Sequence, residues 1–279
     1  MIGFKIMFVR LEPAPIRLLH WRDSIGFKKA LLFETLPEAS RIIYGTLTVD
    51  RSNRRHVMFD VSISSQLKDL VPDFKIGIIY YPSIVVGELP ALIGERLPLY
   101  YESIHLSLTE HPVNEIPGVR EWRHVFKKIG CDPSRYRPSQ EALLRKIKKD
   151  GHPHFIQSAV DLLNFFSVQH SIPMGLYDAA HLENPIQIKI GTDADQYDGL
   201  NGRVMHMKDK LVSIDGCGAF GSPIVDSHRT CVTEKTTEAL QIIYLRPSMA
   251  VNEAQQLIEK MADMFTQVHG GNHEWTLIR

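Results

Sequence analysis

The sequence feature that most constrains this chain is a stretch rich in glycine and proline, Asp215–Thr230. The residues in it that interrupt regular backbone hydrogen bonding are Gly216, Gly218, Gly221 and Pro223. They predict a connection that is neither a helix nor a regular strand. Because the stretch lies between two predicted strands, Lys210–Ile214 and Leu240–Leu245, it indicates a loop held by a sheet, where binding and catalytic residues are often found. The alternative is a hairpin loop whose polar residues face solvent.

Polar side chains at the end of this stretch make it a candidate site. Those able to orient a ligand or a water molecule are Asp226, Ser227, Arg229, Thr230 and, just beyond the stretch, Thr233. A serine-hydrolase arrangement of Ser222 or Ser227 with His228 and Asp226 is disfavoured, because adjacent residues rarely point at one another and Gly-x-Ser-x-Gly is absent. A metal site at His152 and His154 is disfavoured as well, since no further ligand pattern accompanies them. We therefore predict no metal and no cofactor.

The rest of the chain mixes helices and strands. Amphipathic patterns predict helices at residues 119–129, 139–150, 156–166 and 252–268, and strands at residues 75–81, 186–190 and 203–207. Residues 83–118 contain four prolines and are predicted to be irregular, with short pieces of structure. Because the strict alternation of a doubly wound sheet is absent, the pattern favours the α+β class.

Charge is unevenly distributed along a chain whose formal net charge is zero. Residues 119–150 carry ten Lys or Arg against four Asp or Glu, whereas the flanking segments 58–118 and 151–279 are acidic. A basic segment of this kind indicates a local phosphate contact rather than a protein that coats nucleic acid.

Within the basic segment, Arg135 and Arg137 flank Tyr136, an arrangement that can stack on a base and grip phosphates. The alternative is a solvated helix connector whose arginines pair with carboxylates. The candidate RNA-binding residues are Arg120, Arg123, Lys127, Arg135, Tyr136, Arg137, Lys146, Lys148 and Lys149.

The sequence also suggests a compartment. Three widely spaced cysteines without a Cys-x-x-Cys pair indicate free thiols in a reducing environment. No apolar run approaches the length of a transmembrane helix, and the first residues lack the cleavage pattern of a signal peptide. We expect a cytoplasmic location and no membrane partner.

Residues 1–57 differ from the rest of the chain, with a basic excess and no sustained periodicity beyond a possible short helix at Phe27–Phe33. We predict a folded domain over residues 58–279, preceded by a basic extension. Two interpretations stay open: that Met58 is the true start of translation, and that the extension packs on the domain.

Five segments occurring in order carry a family resemblance: Val119–Arg123, Gly130–Ser139, Ser158–Asn164, Ile172–Asp178 and Gly221–Thr230. Together they resemble the freestanding relatives of the B3/B4 domain, the tRNA-editing domain of the phenylalanyl-tRNA synthetase beta subunit. The resemblance covers about residues 60–268 and leaves the first 57 outside. It implies an α+β fold in which mixed sheets pack as a sandwich with outer helices, and a pocket where the two halves of the domain meet.

The resemblance also implies a reaction, because the synthetase domain hydrolyses tyrosine wrongly esterified to the phenylalanine tRNA. An aminoacyl ester is already activated, so its hydrolysis needs a positioned water and oxyanion support more than a strong nucleophile. The implied catalytic residues are Asp226, Thr230 and Thr233, and the implied substrate-binding residues are Asn164, Tyr177, Asp178, Ser227 and Arg229. At one position the chain departs from the family, since Gly175 stands where the synthetase has a histidine.

Three functions stay open at this point. The favoured one is a hydrolase that deacylates mischarged aminoacyl-tRNA in trans. The second is a non-catalytic module that binds tRNA or other RNA through the basic segment. The third is a sensor of a free amino acid. The sequence indicates neither the amino acid, nor the tRNA, nor the oligomeric state.

Overall fold

The computed structural model describes residues 59–279 and, before them, the backbone of two short strands, β1 (His20–Arg22) and β2 (Lys28–Ala30). These two strands pair antiparallel. The chain divides into two compact units, residues 1–47 and 48–279.

The expectations for the first 57 residues fall largely outside the described part. The predicted boundary at Met58 lies there and stays a prediction. Of the helix predicted at Phe27–Phe33, only residues 28–30 are described, and they form a strand instead.

The second unit confirms the α+β class. Its elements in chain order are β3 (Val61–Ile63), α1 (Ser65–Leu70), β4 (Ile76–Tyr81), α2 (Ala91–Glu110), α3 (Pro117–Lys128), α4 (Ser139–Asp150), α5 (Ser158–His170), β5 (Met174–Asp178), β6 (Ile186–Ile190), β7 (Gln196–Asp198), β8 (Val204–His206), β9 (Leu211–Asp215), β10 (Gly218–Gly221), β11 (Ala239–Tyr244), α6 (Val251–His269) and β12 (Glu274–Ile278).

The strands of residues 59–279 form two four-stranded sheets and one two-stranded ribbon, β7–β8. We call the sheet ordered β10-β9-β6-β3 the first sheet and the sheet ordered β12-β4-β11-β5 the second sheet. The first sheet is mixed, because β3 runs parallel to β6, whereas the pairs of the second sheet are all antiparallel.

The two sheets pack against each other. One buried cluster contains Ile186 and Ile188 from the first sheet together with Ile78 and Ile242 from the second. Side chains at alternate strand positions share a face, so each strand contributes every second residue to this shared core. The predicted sandwich is thereby confirmed.

Helices cover the other face of the second sheet. The side chain of Ile258 in α6 lies over Gly77 of β4, and the rings of Tyr81 and Phe265 stack with their centroids 4.3 Å apart. Ser158 at the start of α5 is hydrogen-bonded to His269 at the end of α6, 3.0 Å from its Nε2. The outer helices predicted from the resemblance are therefore present.

The prediction for residues 83–118 is wrong. Residues 83–118, expected to be irregular because of their prolines, contain the 20-residue helix α2. Pro90 precedes its first turn and Pro98 lies inside it, where the buried face of the helix outweighs the lost hydrogen bond. Apolar residues at helical spacing, such as Leu97, Tyr101 and Ile104, form that face.

The glycine-rich stretch also differs from expectation, because Gly218–Gly221 is a short strand paired with β9. Its register shifts between Ala219 and Gly221, and Gly218 has a φ of 114° that other residues rarely adopt. The stretch is thus an irregular edge strand followed by the predicted loop.

Within residues 59–279 no helix is both long and apolar enough to cross a membrane.

Candidate functional site

The loop after β10 is fixed to the end of β5. The Asp178 amide donates to the Thr230 carbonyl at 2.9 Å, and Tyr177 forms an antiparallel bridge with Cys231. The Tyr177 ring meets the Phe220 ring edge-on, with centroids 4.8 Å apart. Two segments that the resemblance assigned to one pocket therefore lie side by side.

The same loop is fixed to the β7–β8 ribbon. The Leu200 amide donates to the Asp226 carbonyl and the His228 amide to the Asp198 carbonyl, each at 2.9 Å. Because both sides of the loop are held by backbone hydrogen bonds, the position of Asp226 is set by the scaffold rather than by its own side chain.

Buried tyrosine hydroxyl groups lie near Asp226. Tyr244 Oη lies 2.8 Å from Ser213 Oγ, which joins the second sheet to the first. Tyr197 Oη lies 2.8 Å from Ser222 Oγ and 2.7 Å from the Val225 carbonyl oxygen. We call Tyr177, Tyr197, Tyr244 and Asp226 the tyrosine–aspartate cluster.

Asp226 is the acidic member of this cluster. Its Oδ1 is out of contact with solvent, although the residue as a whole is only partly buried. Burial raises the pKa of the Asp226 carboxyl to about 7, and hydrogen bonding from the Tyr177 hydroxyl and the Leu176 amide partly offsets that rise. These last contacts are loose, since neither Asp226 Oδ1 nor Tyr177 Oη has a hydrogen bond of good geometry within residues 59–279.

Burial also raises the pKa values of the tyrosines around Asp226. Tyr177 and Tyr244 are fully buried, and the nearby Asp226 carboxyl adds to the rise. The tyrosine hydroxyls therefore keep their protons throughout the physiological range and can act as hydrogen-bond donors.

The glycine at position 175 has a structural reason. A Cβ added to Gly175 would collide with the Tyr177 hydroxyl, and a Cβ on Gly221 would meet the same ring. Residues 175 and 177 share one face of β5, so the tyrosine ring occupies the space of the missing side chain.

Gly175→Ala is therefore expected to destabilise the domain by roughly 2–3 kcal/mol, since overpacking a close-packed core has costs of this size. Urea unfolding measures the loss. Gly87→Ala is the matched control, because a Cβ there meets nothing within 4 Å. Adding Tyr177→Phe to Gly175→Ala should restore part of the stability, and equal stability of the two single glycine variants would contradict the packing explanation.

Two of the predicted site residues stabilise the loop through buried hydrogen bonds. Ser227 and Thr230 are buried with their hydroxyl oxygens 3.0 Å apart, and Thr230 Oγ1 donates to the Phe220 carbonyl at 3.2 Å. Thr233 is exposed, and its hydroxyl accepts from the Lys235 amide in a separate turn. The catalytic roles of Thr230 and Thr233 stay predictions.

Other predicted substrate contacts already have protein partners. Arg229 forms a two-pronged salt bridge with the buried Asp215, at 2.8 and 3.1 Å. Asp178 accepts from the Thr236 hydroxyl at 2.6 Å and from the Ala180 amide at 3.1 Å. Asn164 lies half-buried on α5, among the outer helices. Their roles in substrate binding stay predictions.

Some cations of the basic segment form ion pairs with carboxylates, and others do not. Arg123 pairs with Glu141, and Lys146 pairs with Asp150. Tyr136 has Lys210 over its ring at 4.3 Å and Arg135 at 5.1 Å, so at least one face of the ring is occupied. The members without an ion pair among the described residues are Arg120, Lys127, Lys128, Arg135, Arg137, Lys148 and Lys149.

Sequence reasoning missed the two other tyrosines of the cluster. Strand alternation places Leu240, Ile242 and Tyr244 on one face, so Tyr244 could have been placed facing the first sheet. No comparable signal existed for Tyr197, which lies in a three-residue strand beside a glycine turn.

Three similarities to known proteins are informative. The uncharacterized protein YhzB of Bacillus subtilis is 26% identical over 214 residues, which is 77% of this chain and 97% of that protein. The phenylalanine–tRNA ligase beta subunit of Paramagnetospirillum magneticum is 30% identical over 96 residues, which is 33% of this chain but only 12% of that subunit. An N-terminal fragment of the phenylalanyl-tRNA synthetase beta subunit from Pyrococcus horikoshii shares 14% identity with a TM-score of 0.39, over 77% of this chain and 50% of the fragment.

A family model described as the B3/4 domain matches residues 121–268, more than half of the chain. This range begins within α3 and ends one residue before the end of α6. It includes the loop after β10 and all four residues of the tyrosine–aspartate cluster. The resemblance predicted from the sequence is thereby confirmed: the chain belongs to the B3/4 domain family.

Proposed function

We propose that this protein hydrolyses the ester bond of mischarged aminoacyl-tRNA in trans. The observation that carries the proposal is the buried Asp226 carboxyl, with a pKa of about 7, among tyrosine hydroxyls in a chain of the B3/4 family. Strongly shifted carboxyl groups beside specific donors are frequent at catalytic sites. The proposal includes a cytoplasmic location, in keeping with three cysteines that form no disulfide.

The proposed reaction uses Asp226 as general base and then as general acid. A group with a pKa near 7 is about half ionised at neutral pH, which suits it to accept and return a proton. Water attacks the ester carbonyl carbon while the Asp226 carboxylate takes its proton. The bond from that carbon to the ribose oxygen then breaks, and the ribose oxygen receives the proton. The products are a free amino acid and a tRNA with a free terminal hydroxyl.

Tyr177 is the proposed donor to the developing oxyanion. Its hydroxyl keeps its proton and has no good hydrogen-bond partner within residues 59–279, so it can donate to a substrate oxygen. A fixed donor aimed at a developing negative charge lowers the barrier without reorganisation. Ser227 and Thr230 serve the proposal by holding the loop that carries Asp226.

The test is deacylation of a panel of mischarged tRNAs, with tyrosine on the phenylalanine tRNA included. Asp226→Asn is expected to lower the turnover number by roughly 10²- to 10⁴-fold, the usual contribution of a general base. Asp198→Asn, which removes an exposed carboxyl from the neighbouring β7, should keep wild-type activity. If wild type releases no amino acid faster than spontaneous hydrolysis does, the enzyme proposal fails.

A second candidate function is a non-catalytic module that binds RNA. The supporting observation is a basic cavity on α3, lined by Arg120, His124 and Lys127 among others. In that case Asp226→Asn would leave tRNA affinity unchanged, and no substrate would be hydrolysed by either protein.

A further inference from the structure

A cavity of about 210 Å³ opens on the surface of α3. Its lining residues are Asn114, Arg120, Arg123, His124 and Lys127. Positions 120, 124 and 127 are separated by four and three residues, so they project from one face of the helix. Asn114 comes from the short 3₁₀ turn before α3 and adds an amide. The lining thus contains three cations, one imidazole and one neutral amide, but no carboxylate.

Arg123 lines one side of this cavity and is held in position by other residues. Its guanidinium contacts both carboxylate oxygens of Glu141, at 2.9 and 3.1 Å, and the Ser134 hydroxyl at 3.1 Å. Glu141 is fully buried and also accepts from Arg145 at 2.9 Å. The Arg123 side chain is therefore held in one place, with its charge largely balanced by Glu141.

The two other cations of the cavity, Arg120 and Lys127, are not balanced in this way. Arg120, His124 and Lys127 are exposed, and no carboxylate of residues 59–279 lies within ion-pair distance of them. The acid that follows Arg120 in sequence, Glu121, is engaged elsewhere, because it accepts from the Ser248 amide at 2.6 Å and the Ser248 hydroxyl at 2.7 Å. Like charges gathered without counter-charges cost stability, so an anion would stabilise the arrangement.

We propose that this cavity binds one phosphate group of a nucleic acid backbone. A tetrahedral phosphate has oxygens enough to accept from the Arg120 guanidinium, the Lys127 ammonium, the His124 imidazole and the Asn114 amide together. The volume exceeds the roughly 30 Å³ of a single water several-fold. That the phosphate belongs to tRNA rests on the proposed function, whereas the phosphate chemistry rests on the cavity.

Filter binding of an unmodified tRNA transcript across a range of KCl concentrations tests the proposal. The double variant Arg120→Ala/Lys127→Ala is expected to lower the slope of log affinity against log salt by roughly 1.4 to 1.8, about 0.7 to 0.9 for each lost cation. At fixed salt the affinity should fall by roughly tenfold or more. Lys127→Ala alone has Lys128→Ala as its matched control, because each of these variants removes one charge from the last turn of α3 and Lys128 does not line the cavity.

Asn114→Ala separates site binding from diffuse attraction. It should weaken tRNA binding while leaving the salt slope unchanged, since no charge is lost. If Lys128→Ala weakens binding as much as the changes within the cavity do, the attraction is diffuse and the proposal is overturned. It is also overturned as a nucleic acid site if millimolar inorganic phosphate binds and the cavity variants leave tRNA affinity unchanged.

The outcome is distinguishable from that of the proposed hydrolysis. If the cavity variants raise the KM for a mischarged tRNA with an unchanged turnover number, both proposals are supported. If tRNA affinity depends on the cavity but no substrate is hydrolysed, the phosphate site stands and the hydrolase fails. Hydrolysis that depends on Asp226 and is indifferent to the cavity, in KM and in salt slope, overturns the phosphate site alone.

Discussion

Replacing Asp226 by asparagine is expected to flatten the dependence of the domain's stability on pH. In the folded protein burial raises the pKa of this carboxyl to about 7, whereas an unfolded aspartate titrates near 3.9. Between these values the unfolded chain has lost the proton and the folded protein has kept it. The contribution to stability is therefore complete below about pH 4 and is lost as the pH rises through about 7.

The size of this effect follows from linkage. Over the interval from pH 5 to pH 8, the free energy of unfolding of the wild type should lose roughly 2–3 kcal/mol through this one group. Asp226→Asn should lack that part of the decline, and Asp198→Asn should retain it. Urea unfolding at several pH values makes the comparison. Parallel profiles of wild type and Asp226→Asn would show that the carboxyl is ionised in the folded protein throughout this range.

Glu141→Gln is expected to lower the free energy of unfolding by about as much as the wild type loses through Asp226 between pH 5 and pH 8. The carboxylate is fully buried and binds two arginines, Arg123 at 2.9 Å and Arg145 at 2.9 Å. Glutamine keeps the shape but removes the charge that balances both guanidinium groups. Breaking a buried ion pair on one side costs about 3–5 kcal/mol, and the lower end applies because both arginines are partly hydrated.

The control for this prediction lies on the same helix. Asp150 pairs with Lys146 at 2.8 Å, in the exposed part of α4. Asp150→Asn should leave the unfolding midpoint unchanged, because exposed ion pairs contribute little. If Glu141→Gln unfolds at the same urea concentration as wild type, the buried pair is not a structural support. Arg123 would then be free to contribute to the phosphate site.

Local patterns predicted much of the fold. The β6 strand was predicted at its observed residues, and α4 begins and ends as expected, with Gly151 in the left-handed conformation that closes it. Helix α2 was missed because its prolines outweighed its apolar spacing in the prediction. Strand β12 was missed as well, since its pairing partner, β4, lies far away in the sequence.

The site was less predictable than the fold, because its contacts join distant segments. The loop composition did indicate Asp226, and the family resemblance indicated Tyr177. The pairing of Arg123 with Glu141 joins two helices, and the cation–π contact of Lys210 with the Tyr136 ring joins residues far apart in sequence. Such contacts decide which cations remain available to bind a phosphate group, and no local sequence pattern reveals these contacts.

The order of strands in the second sheet has a consequence for biosynthesis. β4 is the first strand of this sheet to be translated, and it lies between β11 and β12, the last two. It therefore has no paired neighbour in the sheet until those two strands have been synthesised. Its sequence, Ile76–Tyr81, is almost entirely apolar and would present two unpaired edges on a nascent chain. Pairings of such long sequence separation form slowly, so assembly of this sheet is completed only after translation has passed Glu274–Ile278. A chain interrupted before that strand would leave one edge of β4 open to a neighbouring molecule.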